Sequence, residues 1–247
     1  MGIIIENPGI LTTVQDEGRF GSQQFGVSPA GPMDTQSFYI ANILVGNRMG
    51  EGAIEMTFQG PTVRFEKDII IAITGGDLSP TLNGQPAPMY QALLVHAGDV
   101  LAFGVGTTNG CRGYLAFAGG LDVPLVMGSK STLLRNQLGG VQGRKLEKGD
   151  VIGFANPKTT LPNMGLRKLE PEVFPKGELT LRVVTGPQDS DFTKSELKKF
   201  FWYGAKITNE FDRMGCRLER DEPLHHKGDG NIITDGIAFG SIQVPTN

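Results

Sequence analysis

Short apolar runs, each closed off by glycine, proline, asparagine or aspartate, recur along the chain, and runs of this length between turn formers predict strands. Candidate strands cover 68–74 (DIIIAIT), 91–95, 100–104, 113–118, 151–154, 179–185 and 240–244. The pair Asn83-Gly84 lies between PTL and QPA and suits positive φ at both centres of a tight turn, which predicts a hairpin. A helical period shows in two places. Over 34–45 (DTQSFYIANILV), Phe38, Ala41 and Val45 form one stripe with Leu44 beside it, and Gly46 follows as a good residue past a helix end. Over 190–201 (SDFTKSELKKFF), Phe192, Leu197, Phe200 and Phe201 make an amphipathic pattern, with lysines near the end where they favour the helix dipole. The fold class expected is therefore mainly β with a few short helices, as a barrel or a sandwich.

Two echoes suggest a doubled design. ITGGD at 73–77 resembles VTGPQD at 184–189, and HAGDV at 96–100 resembles EKGDV at 147–151. Within 156–176 (NPKTTLPNMGLRKLEPEVFPK) four prolines and no strong period mark a connection between halves. The expected organisation is a first half over 1–158, a linker over 159–176 and a second half over 177–247.

Composition supports this outline. A chain of 247 residues, 39% hydrophobic and 20% charged, has the material for one large or two modest cores and is not of the disordered type. Glycine at 35 and proline at 15 fit many turns between short elements. A net charge of -3 and a pI near 5.7 give no electrostatic footprint for nucleic acid or an anionic membrane. The start has no basic region ahead of a long apolar stretch, and no apolar run reaches bilayer-spanning length. Cys111 and Cys216 lie far apart in different contexts, which suits a reducing compartment, so cytoplasmic localisation is expected.

The familiar catalytic signatures are missing: no G-x-x-x-x-G-K-[ST] phosphate loop, no G-x-G-x-x-G after a strand, no G-x-S-x-G elbow. His96, His225 and His226 lack metal-ligand spacing, so no metal site is expected, and the two cysteines read as small buried residues rather than nucleophiles. Three places hold chemistry. In GVSPAGPMD (26–34), two prolines and two glycines precede Asp34, which is placed both to cap the following helix and to meet a substrate amide or a cation. In 110–132, Arg112 and Tyr114 alternate along one strand and so face one side, while Gly119-Gly120 admits close backbone approach. GSKST at 128–132, with Lys130, offers hydroxyls, a cation and N–H groups that suit a phosphate or a carboxylate; the alternative is that these glycines only make turns and Arg112 pairs at the surface. In 210–217 (EFDRMGCR), two acids and two arginines surround a glycine, as in an ion-paired turn.

GILTTVQDEGRFG (9–21), GVSPAGPMD (26–34), ANILVGN (41–47), YLAFAGGLDVP (114–124), EFDRMGCRLE (210–219) and ITDGIAFGSIQVP (233–245) together resemble the allophanate hydrolase subunit 2, or biotin-dependent carboxyltransferase-like, family. The resemblance covers nearly the whole chain in order. It implies two cyclophilin-like β-barrel halves, the second incomplete relative to the family, whose members continue past the QVP strand. It implies a component like the C-type subunit of 5-oxoprolinase, working with a cyclophilin-like B-type partner and a third, A-type one, with ATP and Mg²⁺, to open 5-oxoproline to glutamate. A lactam amide is resonance-stabilised, so its hydrolysis needs activation such as phosphorylation of the amide oxygen. The same resemblance implies two other activities. One is carboxyl transfer in a urea carboxylase or allophanate-type system, for which this chain has no methionine-flanked biotin-attachment lysine; the other is a regulatory antagonist of a kinase-inhibitor partner. The catalytic residues it implies are Asp34, Glu55 and Arg112. Those for substrate or phosphate are Ser28, Asn42, Tyr114, Lys130, Arg213 and Gln243.

Overall fold

The computed structural model describes residues 2–106, 110–171, 177–231 and 237–245. The chain divides into two compact units, Met1–Leu179 and Thr180–Asn247.

In the first unit, the elements in order are β1 (Gly2–Asn7), β2 (Leu11–Gln15), α1 (Thr35–Leu44), β3 (Ala53–Thr57), β4 (Thr62–Phe65), β5 (Ile69–Gly75), β6 (Thr81–Leu82), β7 (Gln85–Pro86), β8 (Ala92–Val95), β9 (Val100–Ala102), β10 (Arg112–Phe117), β11 (Leu121–Asp122) and β12 (Val151–Phe154). They build a seven-stranded sheet in the order β11-β12-β1-β4-β9-β6-β7 and a five-stranded sheet in the order β2-β3-β10-β5-β8. Alternate side chains of both sheets meet in one apolar core: Ile3 and Ile5 of β1 and Val63 and Phe65 of β4 join Ile54 and Met56 of β3, Ile71 and Ile73 of β5, and Leu115 and Phe117 of β10. The opposite face of the five-stranded sheet is also covered. There Ile70, Ala72, Tyr114 and Ala116 pack against Phe38, Ala41, Leu44 and Val45 on the α1 side. Strand β5 is thus buried on both faces, which is why DIIIAIT reads as a continuous apolar run. Each large apolar side chain so buried stabilises the unit by about 1.5–3 kcal/mol.

Helix α1 starts and stops where its sequence predicts. Asp34 is extended at φ -115 and ψ 90, its carboxylate accepts the Ser37 N–H, and Gly46 follows the helix end at φ 69. The Asn83-Gly84 pair joins β6 and β7 with both residues at positive φ, 52 and 79, as the hairpin reading requires. The strands β1 to β4 lie outside the runs singled out from sequence. Glu55, Arg64 and several threonines interrupt them, and register against a neighbour decides which face each residue takes.

The HAGDV and EKGDV echo is a repeated turn. The Gly98 N–H donates to Phe65 O at 2.8 Å and the Phe65 N–H to Asp99 O at 2.9 Å; the Gly149 N–H donates to Ile5 O at 2.7 Å and the Ile5 N–H to Asp150 O at 2.9 Å. Asp99 and Asp150 each accept the N–H three residues back, from His96 and Glu147 at 2.8 Å. Both copies belong to the first unit, so this echo marks a local repeat beside β4 and β1 and not a doubling of the chain. Of the stretch expected as a linker, 159–171 lies on the first unit: the Ala92 N–H donates to Arg167 O and the Leu169 N–H to Tyr90 O, each at 2.8 Å. Residues 172–176 lie outside the described residues.

The second unit holds α2 (Lys194–Trp202) and the antiparallel pair β13 (Lys206–Phe211) and β14 (Cys216–Glu219). Thr193 caps α2 by accepting the Glu196 N–H at 3.2 Å, so the helix begins four residues later than its apolar pattern suggests. Two expectations are corrected here. Residues 179–185 and 240–244 form no strand, because a strand exists through its ladder and none of these residues is paired with another strand. Their apolar side chains are exposed instead, Val184 at 94% and Ile242 at 52%. Cys216 is exposed and Cys111 half-buried, so neither is the buried thiol expected.

Candidate functional site

Four polar residues make a row across the five-stranded sheet on the face that carries α1. Thr13 of β2 stands opposite Glu55 of β3, Glu55 opposite Tyr114 of β10, and Tyr114 opposite Thr74 of β5. A polar row in a buried layer needs partners, and the loop 26–34 supplies them for Glu55 and Tyr114 and also reaches Gln15 beside the row. The Gly31 N–H donates to Gln15 Oε1 at 3.1 Å, the Met33 N–H to Glu55 Oε2 at 2.9 Å and the Asp34 N–H to Tyr114 Oη at 2.8 Å. Thr74 Oγ1 completes the row by donating to Ser37 O at 2.7 Å. The glycine is needed at one point: Gly31 sits at φ 96, and a Cβ there would stand 3.0 Å from Glu17 O. The prolines and glycines of GVSPAGPMD therefore lay the chain flat on the sheet before Asp34 turns it into α1.

Within the row, Tyr114 Oη donates to Glu55 Oε2 at 2.8 Å. Burial, reinforced by the negative charge of Glu55, pushes the Tyr114 phenol far above its ordinary range, so it is a proton donor and not a base. Arg112 joins from the next register position. It donates to Thr57 Oγ1, and its Nη1 lies 3.8 Å from Glu55 Oε1. The expectation from strand alternation, that Arg112 and Tyr114 face one side, holds, and Glu55 is the residue on which both converge. Its side chain is 1% exposed, that of Arg112 15%.

The second expected anion receptor is occupied from within. Asp16, just past β2, accepts Ser129 Oγ at 2.5 Å, Ser131 Oγ at 2.6 Å, the Lys130 N–H at 2.6 Å and the Gly18 N–H at 2.9 Å. Burial opposes ionisation of Asp16, but these four donors outweigh it and hold the carboxyl below its usual value. The carboxylate that GSKST suits is thus the protein's own. Lys130 turns the other way, with Nζ 2.5 Å from Glu51 Oε1 and 2.8 Å from Leu121 O. Nearby, Arg19 is buried, and its Nη2 and Nε donate to Ser131 O and Val126 O. Burial lowers the Arg19 pKa while Asp16 opposes that shift.

The remaining expected residues are Asn42, Ser28, Arg213 and Gln243. Asn42 is fully buried and structural: its Nδ2 donates to Met49 O at 3.1 Å and Glu51 O at 2.8 Å, holding the turn after α1. Ser28 is exposed on the loop. Arg213 and Gln243 belong to the second unit, half-buried and exposed. Spacing alone singles out neither Gln15 nor Asp16, although both lie in GILTTVQDEGRFG. Their roles come from loops far along the chain.

Among the described residues no group of three or more His, Cys, Asp or Glu side chains is placed to hold a metal ion. The cations of this unit expected to steady a phosphate or a carboxylate, Arg112 and Lys130, are both paired with carboxylates. Paired in this way, neither of these two side chains is a free receptor for ATP phosphates with Mg²⁺, and no step is derived through that group. No helix among the described residues is long and apolar enough to cross a membrane.

Comparison with known proteins adds the family. The family model "Carboxyltransferase domain, subdomain A and B" matches residues 25–247. The chain is 39% identical over 238 residues to a urea amidolyase of Lachancea kluyveri, covering 92% of this chain and 13% of that protein. It is 35% identical over 240 residues to the C-type subunit of 5-oxoprolinase from Escherichia coli, covering 97% of this chain and 75% of that one. The structure of the Kluyveromyces lactis urea carboxylase superposes with a TM-score of 0.78 at 35% identity, over 93% of this chain and 21% of that one. The chain thus spans a small part of the urea enzymes and three quarters of the bacterial 5-oxoprolinase chain that it resembles. It belongs to the family of carboxyltransferase domains, subdomains A and B.

Proposed function

We propose that the chain is the C-type component of a cytoplasmic, ATP-dependent 5-oxoprolinase complex, acting with A-type and B-type partners to open 5-oxoproline to glutamate. In the net reaction the lactam C–N bond breaks, an oxygen from water ends on the carbonyl carbon, the nitrogen takes up protons as the amine forms, and ATP is cleaved to ADP and phosphate with uptake of a second water. The observation that carries this reading is the loop 26–34 held on the Glu55–Tyr114 pair, which fixes Asp34 from one side while Arg112 reaches the same pair from the other. Such a fixed, polar and water-poor corner suits a small substrate with one amide and one carboxylate. In this reading Arg112 exchanges its long 3.8 Å contact with Glu55 for the substrate carboxylate, Asp34 orients the amide, and Glu55 and Tyr114 keep both in place. Likeness to the C-type subunit of a bacterial 5-oxoprolinase over 97% of the chain supports it.

The test mixes this chain with its two partners, ATP and 5-oxoproline and follows glutamate. Glutamate that forms only when the chain is present is the expected result. A stable complex with no glutamate would overturn the reading and favour regulation by binding. A second reading, carboxyl transfer in a urea carboxylase-type system, is favoured by the 39% identity to a urea amidolyase. It requires carboxybiotin delivered on another chain, and is tested by urea-dependent consumption of that carboxyl group.

A further inference from the structure

We infer that Gln15 is a positioning residue whose side-chain amide couples the loop 26–34, which rests on the Glu55–Tyr114 pair, to the loop 128–132, so that the two keep one arrangement. Gln15 ends β2 and is fully buried. A carboxamide has an acceptor at one atom and donors at the other, and both ends are used. Oε1 accepts the Gly31 N–H at 3.1 Å, while Nε2 donates to Thr132 O at 3.2 Å and to Thr13 Oγ1 at 3.0 Å.

The residues after Gln15 extend the same contacts. Asp16 gathers Ser129, Lys130 and Ser131, and the Arg19 N–H donates to Pro29 O at 2.7 Å. At Gly18 a Cβ would stand 2.9 Å from the same Pro29 oxygen, so the backbones are in close approach. The stretch 15–19 thus makes contacts with both loops. Gln15 is the point where a single side chain serves both, and a group with two such partners transmits loosening in either direction, since coupling between sites is reciprocal.

Hydrogen exchange of the full chain, resolved residue by residue, tests the coupling. Gln15→Met keeps the size and removes both polar ends. Amides of Gly31 and of 130–132 are expected to exchange roughly five- to tenfold faster, as for one lost hydrogen bond, with β5 unchanged. Gln15→Glu keeps the acceptor for Gly31 but turns an oxygen toward Thr132 O, so only the second loop should loosen. Ser131→Ala leaves Gln15 in place, removes one of the three residues by which Asp16 holds the second loop, and should still quicken exchange at Gly31, an effect that vanishes in the Gln15→Met background. Ser131→Ala with Gly31 at its wild-type rate would overturn the coupling, and where Gln15→Met does not fold, Gln15→Glu, which has lost the bond to Thr132 O, is the background in which the effect must vanish.

The consequence for turnover rests on the oxoprolinase reading. In the reconstituted complex Gln15→Met is expected to raise KM for 5-oxoproline roughly tenfold with kcat within about twofold, the mark of a lost binding geometry. An unchanged KM would overturn the positioning role. A wild-type complex that makes no glutamate would instead sink the oxoprolinase reading and leave the exchange result standing by itself.

Discussion

Tyr114 and Glu55 stand directly opposite each other on β10 and β3, and the phenol donates to the carboxylate at 2.8 Å while accepting the Asp34 N–H at the same distance. One hydroxyl thereby joins the sheet to the first residue of the α1 cap. Tyr114→Phe leaves the Asp34 N–H and one Glu55 oxygen without this partner in a buried layer. A loss of about 1–3 kcal/mol is expected, read as a lowered urea midpoint at unchanged slope. A midpoint equal to wild type would mean that water replaces the phenol at no cost.

Asp34 separates capping from chemistry. Its carboxylate accepts the Ser37 N–H at 3.0 Å and Ser37 Oγ at 2.6 Å. Asp34→Ala should lower stability by about 1 kcal/mol, within the usual 0.5–2 for a lost cap, whereas Asp34→Asn should stay within a few tenths because asparagine caps about as well. Urea denaturation measures both. If the charge of Asp34 serves the reaction, Asp34→Asn in the complex abolishes glutamate formation although its fold is intact; retained turnover would remove Asp34 from the chemistry.

Acid should weaken the first unit through Asp16. Its carboxyl titrates below its ordinary value in the folded chain, so between that lower pKa and the unfolded value near 3.9 the unfolded state binds more protons. The stability it contributes is complete above about pH 4 and is lost as pH falls through the folded pKa. Asp150, paired with Arg144 at 2.8 Å and also shifted down, acts in the same direction. Urea midpoints measured from neutral pH to about pH 3 should fall less steeply for Asp16→Asn than for wild type. Parallel curves would mean that Asp16 has the same affinity for protons folded and unfolded.

Two glycines at similar positive φ should respond very differently to alanine. Gly119 at φ 88 would place a Cβ 1.6 Å from Asn156 O, whereas Gly98 at φ 94 has nothing within 4 Å. Both substitutions strain a left-handed residue by about 1–2 kcal/mol, so the difference between them isolates the clash. Gly98→Ala is expected to fold with a modestly lowered midpoint, and Gly119→Ala to be recovered mostly as insoluble or unfolded chain. Similar midpoints would show that the 156 turn can move aside.

Local pattern was sufficient where the determining contacts are near in sequence. The stripe Phe38, Ala41 and Val45, the cap at Asp34, the Asn83-Gly84 turn and the shared side of Arg112 and Tyr114 each depend on a few neighbouring residues, and each is found in the structure. The same pattern misled at 179–185 and 240–244, because apolar alternation records what a strand requires and not whether another strand is there to pair with it.

What the sequence by itself determined is the mainly β class, the place of α1 and the family to which its motifs belong. Which polar groups meet was decided only by the tertiary structure. Glu55 lies 59 residues from Tyr114, and Asp16 lies 113 from Ser129. Strand register brings the first pair together, and the fold of the 126–132 loop brings the second. A hydrogen bond depends on distances of a few tenths of an ångström, and spacing along the chain carries no record of them. GSKST suits an anion by its composition, and folding delivers Asp16 into it; Asn42 is closed by packing inside the turn after α1.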